Sequence, residues 1–277
     1  MLIDASGTPW APGGPPRRIV SLVPSTTETL CVLGLADALV GVTSYCVAPR
    51  EVVRAKTRVG GEKDPDLEAI ARLAPDLVVA NVEENRREDV DALRAVGIAV
   101  WVTYPRTVEG AVAMVRELGA VTGTGERAET LARELEARLA QARAAGAGRA
   151  PVRVFYPIWR APYMTINGDT YVSDMLAVCG GVNVFADRAE RYPIVTLDEM
   201  AERRPDVILL ADEPFRFRRA HLADFAPFRD VPAVRDGRIV FVDGKLASWH
   251  GPRAVLALQR LPDLIREPRA GASCARS

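Results

Sequence analysis

The fold class this sequence predicts is α/β, with two parallel-sheet lobes joined by a single long backbone helix, and three observations predict it. A unit occurs twice: Leu67 to Val79 (LEAIARLAPDLVV) returns as Leu197 to Leu209 (LDEMAERRPDVIL), with Pro75 and Pro205 standing 130 positions apart. Short apolar runs alternate with amphipathic helical stretches on both sides of the middle of the chain, the pattern of parallel strands and right-handed crossovers. Between the copies, Glu126 to Ala145 runs without glycine or proline. In each copy a short helix meets a proline, which has no N–H to donate, and the apolar run after Pro-Asp reads as a buried parallel strand.

The first lobe, residues 17–122, opens with the strand Arg18 to Val23, which Pro24 ends. Ser25-Thr26-Thr27-Glu28 fits a capping box, and Gly34 supplies the helix stop. Leu39 to Thr43, Asp76 to Ala80 and Ile98 to Val102 read as strands, with helices at Leu67 to Leu73, Arg86 to Ala95 and Val108 to Gly119. The connecting helix falls within residues 123–148. Leu131, Leu135 and Leu139 recur at intervals of four, and Glu129 with Arg133 and Glu134 with Arg138 form i,i+4 pairs. Such a helix predicts a stiff connection rather than a loose linker. The second lobe, residues 149–267, begins with a strand at Val152 to Tyr156. A helix near Tyr171 to Cys179, the repeated unit, a strand at Ile239 to Val242 and a closing helix from Pro252 to Ile265 follow, and the tail after Pro268 reads as disordered.

Composition narrows the function. Thirty-six basic residues balance 36 acidic ones among 277, so no global field recruits nucleic acid or a membrane, and no apolar run is long enough to span one. A small molecule or a protein is the expected partner. Met1 to Pro16 holds proline, glycine and small polar residues where a signal peptide needs a basic start and an apolar stretch, so the chain as written reads as cytoplasmic. A start codon further upstream would instead place it in the periplasm or cell envelope. Cys31, Cys46, Cys179 and Cys274 show no C-x-x-C spacing, and Cys31 and Cys179 read as small buried hydrophobes.

Gly123-Thr124-Gly125-Glu126-Arg127-Ala128 matches G-x-G-x-x-A, but a helix precedes it where dinucleotide binding needs a strand, so an interhelical turn is expected. There is no G-x-S-x-G elbow and no phosphate-binding loop, and His221 and His250 are too few for an all-protein zinc or iron site. No catalytic residue and no protein-held metal is expected. Ligands in open parallel sheets bind beyond the carboxyl ends of the strands, where Ser25, Tyr45, Glu83, Trp159 and Trp249 fall, with Tyr163 in the same second-lobe loop as Trp159. Each alone reads as packing, a cap or a loop anchor; together they line a cleft for something large, flat and partly apolar. His250 alone reads as a surface histidine, yet its place after Trp249 makes it the best candidate for an axial or polar contact, with Cys46 beside Tyr45 as the alternative.

Arg18 to Cys46 (RIVSLVPSTTETLCVLGLADALVGVTSYC) resembles the substrate-binding proteins of cobalamin and iron-chelate importers, the helical-backbone metal receptors of class III periplasmic-binding-protein type. The likeness continues through Val59-Gly60-Gly61, both repeated units, Cys179 to Phe185 (CGGVNVF), Val242-Asp243-Gly244 and Ser248-Trp249, about residues 17 to 266 in all. It implies two α/β lobes on one long helix and a chelate held between them with little hinge motion. Tyr45 and Trp249 match aromatic positions of the cobalamin pocket, whereas Glu62-Lys63 stands where those members carry an aromatic. The resemblance also implies docking on an ABC transporter permease through one carboxylate per lobe, Glu68 and Asp198. Asn81 to Asp89 resembles a branch that often lacks an export signal. The expected function is non-enzymatic binding of a metal chelate with no intrinsic cofactor: cobalamin first, haem or another iron chelate next. The rival is a cytosolic enzyme or cofactor-handling protein that reuses the fold.

Overall fold

The computed structural model describes residues 2–10 and 14–266. Two compact units divide the described residues: one takes 2–10 and 14–105 with 109–136 and 250–252, the other takes 106–108, 137–249 and 253–266. In order, the first half contains β1 (Ile19–Ser21), α1 (Pro24–Val32), β2 (Leu39–Val42), α2 (Arg50–Val53), β3 (Thr57–Arg58), α3 (Leu67–Arg72), β4 (Leu77–Asn81), α4 (Arg87–Ala95), β5 (Val100–Thr103), α5 (Val108–Thr122) and α6 (Gly125–Gly146). The second contains β6 (Val152–Phe155), α7 (Tyr171–Val178), β7 (Gly181–Asn183), α8 (Leu197–Glu202), β8 (Val207–Ala211), α9 (Pro232–Arg235), β9 (Ile239–Val242), α10 (Gly244–Ser248) and α11 (Pro252–Arg266). Both sheets are wholly parallel, ordered β3-β2-β1-β4-β5 and β7-β6-β8-β9.

The repeat is structural as well as sequential. Ala74 and Arg204, one residue past the C-caps of α3 and α8, take left-handed φ of 44° and 43°, the conformation that commonly ends a helix, and Pro75 and Pro205 bar its continuation. That exit exposes the last carbonyls of α3 and α8. Arg18 donates from Nε and Nη2 to the carbonyl of Leu73, and Arg153 does the same to Arg203. The carboxylates of Asp76 and Asp206 in turn accept the backbone N–H groups of Arg18 and Arg153, each at 2.9 Å, and so fasten β4 to β1 and β8 to β6. Fully buried Ile70 and Met200 pin the two short helices to their own sheets.

Several local expectations need correction. The Ser25 to Glu28 capping box does not form. Pro24 takes the first helical position, which its fixed φ suits, and this makes Val23 the N-cap, with no side-chain hydrogen bond. The other end of α1 is as expected: Gly34 at φ 84° closes it, with Gly34 N donating to Cys31 O and Leu35 N to Leu30 O. The first lobe also begins before residue 17. Asp4 accepts from Arg94 and from the backbone N–H of Val102, and Ala5 N pairs with Val102 O, so residues 2–10 belong to the β5 side of that lobe. Strands β3 and β7 are too short to show an apolar period. The Gly123–Gly125 segment is an interhelical turn between α5 and α6, where a β-carbon on Gly119 would stand 2.2 Å from that of Ala128. Helix α6 is unbroken over 22 residues and does not form a unit of its own, because the division falls between Glu136 and Ala137. Cys31, half-buried, and Cys179, buried, are free thiols; Cys274 and the tail beyond Pro268 lie outside the described residues. Among the described residues no helix is long and apolar enough to cross a membrane.

Candidate functional site

In the first lobe the chain runs from β1 outward to β2 and β3, then returns to the other side of β1 as β4. The loops leaving β1 and β4 diverge there, which opens a crevice at the carboxyl ends of two adjacent strands. Ser25 follows β1 and Glu83 follows β4. Asn81 shapes the second loop, accepting the N–H of Glu83 at 2.8 Å, and Asn85 accepts from Asn81 N and donates to Glu62 O. Lys63 donates to the carbonyl of Glu83, so the stretch after β3 is tied to the stretch after β4. Burial, chiefly, pushes the Glu84 carboxyl up, with the charge of Glu83 adding and Lys63 opposing.

Tyr45 and Cys46 follow β2, but their roles separate. The Cys46 thiol is 0% exposed and sits between the hydroxyls of Thr27 (3.1 Å) and Thr43 (3.2 Å), while Arg58 holds the carbonyls of Thr43 and Cys46. Burial raises its pKa, so it is a neutral core thiol and leaves the set of contact candidates. What it does is anchor the turn that presents Tyr45, which is 61% exposed. His250 also departs from expectation: it is 8% exposed, not a surface residue, with Nδ1 3.5 Å from Ser25 Oγ. Burial drives its imidazole down to about 4, which keeps it neutral near pH 7. The close seating is enforced next door, where a β-carbon on Gly251 would stand 2.1 Å from Thr29 Oγ1.

In the second lobe the switch lies between β6 and β8. The loop after β6 folds back on itself, with Ile158 N donating to Met164 O and Met164 N to Trp159 O, and leaves Trp159 43% exposed. Its ring meets Phe215, from the loop after β8, edge-on at 5.6 Å. Phe215 in turn contacts buried Phe217 at 4.9 Å and His221 at 5.4 Å, so the two loops make one aromatic shelf. Tyr163 lies behind it. Its ring packs on Phe225 and its hydroxyl donates to Asp224 Oδ2 at 2.7 Å, where Arg160 also binds in bidentate fashion at 2.6 and 3.0 Å. Arg160 and Tyr163 hold the Asp224 carboxyl below its usual range, and the three side chains fasten the Trp159 loop to the segment Arg219–Phe225. His221 Nδ1 accepts the N–H of Arg218 at 3.0 Å, so a neutral ring carries its proton on Nε2 and acts as a donor.

Trp249 is 7% exposed; Arg253 stacks over its ring at 4.9 Å, and its indole N–H bonds the Glu213 carboxylate. Glu213 is raised by burial, with Lys245 opposing. The structure thus gathers Trp159 with Phe215 and His221, keeps Tyr163 as support, buries Trp249 beside Glu213, and leaves Tyr45 and Glu83 on the first lobe. Phe215, His221, Arg160 and Asp224 were missed in the sequence. The only signal for Phe215 and His221 is the run Phe215-Arg216-Phe217-Arg218-Arg219-Ala220-His221 just after a repeated strand, and Arg160 and Asp224 lie outside it. Glu68 and Asp198 are exposed in the first turns of α3 and α8, where carboxylates complement the helix dipole, and Glu68 pairs with Arg72 at 3.5 Å.

Two similar parallel sheets with divergent strand-end loops define a ligand-binding α/β protein, and comparison with known proteins makes the class specific. The chain belongs to the periplasmic binding protein family, whose pattern matches residues 19–246. The vitamin B12-binding protein of Photorhabdus laumondii subsp. laumondii is 31% identical over 196 residues, 71% of each chain. The crystal structure of the periplasmic vitamin B12 binding protein of Vibrio cholerae superposes with a TM-score of 0.81 at 24% identity, over 93% of this chain and 99% of that one, and establishes the fold. The periplasmic heme-binding protein from Roseiflexus sp. RS-1 in its apo form gives 0.79 at 26% identity, over 91% and 98%. The class III architecture of two parallel-sheet lobes is therefore the fold of this chain.

Proposed function

We propose that this chain is a non-enzymatic substrate-binding protein for a metal chelate, cobalamin first and haem or another iron chelate next. The observation that carries the reading is the aromatic shelf of Trp159, Phe215 and His221 at the strand-end switch of the second lobe, in a chain whose relatives are named for binding vitamin B12 or heme. A corrin or porphyrin brings four equatorial donors, so the protein needs apolar walls and a few polar contacts. That suits a chain in which no group of three His, Cys, Asp or Glu side chains is placed to hold a metal among the described residues. Trp159 and Phe215 offer ring faces and edges, His221 Nε2–H offers a donor, and Tyr45 and Glu83 are the contacts proposed on the first lobe. Ser25 and His250, buried together, act by shaping the start of α1, and Trp249 by orienting Glu213.

Delivery to an ABC transporter permease through Glu68 and Asp198 is part of the same proposal, supported by their matched, exposed positions. The cytoplasmic expectation finds no support in relatives named periplasmic, and residence in the periplasm or cell envelope is proposed in its place. The test is absorbance titration of the purified chain with cyanocobalamin and, separately, with haemin. Stoichiometric uptake of one of them without turnover is expected. Absence of binding to both by folded protein removes the reading, and chemical conversion of the bound ligand would favour the enzyme alternative.

A further inference from the structure

The sheet of the first lobe has two edges, and they are protected in different ways. Edge strand β3 is two residues long and ends on an exposed arginine, Arg58, which discourages another strand from pairing with it. Edge strand β5 reads Val-Trp-Val-Thr, uncharged and strongly β-forming, the kind of edge that recruits a second chain. Val78 and Val82 donate to its Ala99 and Thr103 carbonyls, so Val100 and Val102 turn their backbone groups outwards, away from β4.

Residues 2–10 close that edge. Val102 O accepts from Ala5 N at 2.9 Å, Val102 N donates to Asp4 Oδ2 at 3.1 Å, and Val100 O accepts from Arg94 Nη2 at 3.0 Å. The Asp4 side chain, 1% exposed, also pairs with Arg94 at 2.6 Å. Its other oxygen accepts the N–H groups of Ser6 and Thr8, each at 2.9 Å, so one carboxylate both folds the turn of this arm and docks it. Asp4 N to Thr8 O and Trp10 N to Leu2 O hold the arm together as a hairpin, and Trp10 meets buried Trp101 edge-on at 5.9 Å. The sequence that joins the arm to β1 begins Ala11-Pro12-Gly13-Gly14-Pro15-Pro16, the composition of a connecting loop.

We infer that residues 2–10 are a removable guard on a strand-docking surface, and that the partner they exclude is the β5 edge of a second copy of this chain. Two such edges can pair antiparallel about a twofold axis, each copy offering the other the same outward groups of Val100 and Val102. Those groups cannot serve the arm and a partner at once, so docking of the arm and pairing of two copies are mutually exclusive. The inference uses no residue of the chelate-binding reading and stands or falls without it.

Asp4→Ala with Ala5→Pro in the full chain removes the carboxylate and the N–H that hold the arm and leaves β5 untouched. With the parent's circular dichroism spectrum, this variant should shift to about twice the parent's mass in light scattering as its concentration rises to about 0.5 mM, and a synthetic peptide of residues 2–10 should reverse the shift. A folded variant that keeps the parent's mass over that range overturns the inference, as does association that the peptide leaves unchanged. Amide exchange in the unaltered chain is a second test that needs no substitution. Ala5 and Val102 should exchange through one common opening, at least about tenfold faster than Val78 in β4. Exchange of Val102 at the rate of Val78 would mean that the arm leaves only when the lobe unfolds, and that result also overturns the guard.

Discussion

At the end of α3 the Arg18 guanidinium reaches the carbonyl of Leu73 at 3.0 and 2.6 Å, and at the end of α8 that of Arg153 reaches Arg203 at 3.2 and 2.6 Å. Ten residues past each of these helices' starts, β4 and β8 begin at the same spacing. Beyond the strands the lobes part company. Each keeps a glutamate two residues past its strand, Glu83 after β4 and Glu213 after β8, but the second adds Phe215, Phe217 and His221, where the first has Asn85, Arg87 and Asp91. Just before the repeated helices, Glu62-Lys63-Asp64 in the first lobe corresponds to Tyr192-Pro193-Ile194 in the second. The helix stop and the sheet clamp depend on backbone geometry that both lobes must satisfy, while the strand-end loops carry no such shared constraint and are free to diverge. Shared frame thus reports folding, and the unshared loops are where the proposed binding contacts lie.

The strongest way to break this comparison is in the cores. Ile70→Ala and Met200→Ala remove fully buried side chains at repeated positions, and each should lower stability by roughly 2–5 kcal/mol. Urea melts followed by circular dichroism measure both. Equal losses are the signature of equivalent frames; a gap of more than about 2 kcal/mol would mean that the lobes use their repeated helices differently.

Acid should separate the lobes next. In the folded first lobe the His250 imidazole titrates at about 4, against 6.5 for an unperturbed histidine, because it is buried beside Ser25. The folded-state value is lowered, so between the two pH values the unfolded chain binds a proton that the native state refuses. Stability is therefore fully retained above pH 6.5 and is lost as pH falls towards 4, by on the order of 3 kcal/mol from this group. His250→Gln should flatten the stability profile over that window. A variant whose pH profile overlays that of the parent would show that the imidazole is solvated.

Ligand contacts are expected to be unequal as well. Trp159→Ala should weaken binding of the chelate that titrates by more than tenfold, about 1.4 kcal/mol, with Tyr45→Ala losing less because Tyr45, 61% exposed, has no ring contact among the described residues to fix it in place. Asp224→Asn, which breaks the clamp behind the Trp159 loop, should fall between the two. From sequence Trp249 read as one of the residues lining the cleft; buried against Glu213 and Arg253, it is expected to affect stability before affinity. An affinity loss in Trp249→Ala that exceeds the Trp159→Ala loss, at equal melting temperature, reverses this ranking.

What sequence could reveal follows from the same division. The repeat, the strand runs and α6 were legible because proline stops, apolar runs and leucine spacing act locally. The Ser25 cap was misread because a capping box and a proline at the first helical position compete for one helix start, and the proline prevails. Cys46 and His250 were legible as chemistry and not as location, since their burial depends on Thr27, Thr43 and Ser25 arriving from other segments. The Arg160–Asp224–Tyr163 clamp joins residues more than sixty positions apart with no periodicity to announce it.

The smallest effect on the molecule itself should come from the two carboxylates proposed for docking. Glu68 lies at the start of α3 with an exposed partner, Arg72, and Asp198 starts α8 without an ion pair among the described residues. An exposed i,i+4 pair and a dipole contact are each worth a few tenths of a kcal/mol, so Glu68→Lys and Asp198→Lys should shift stability by less than about 1 kcal/mol each. Chelate affinity should stay within twofold in both. Association with the permease, measured in proteoliposomes, is where they should differ from the parent. Glu68→Lys also faces Arg72 and should be the more disruptive of the two to its own helix, whereas Asp198→Lys leaves the Thr196–Glu199 capping box of α8 in place. If both lobes dock, each single reversal weakens association and the double reversal abolishes it. An effect confined to one residue would show that the symmetry of the frame does not extend to its partner.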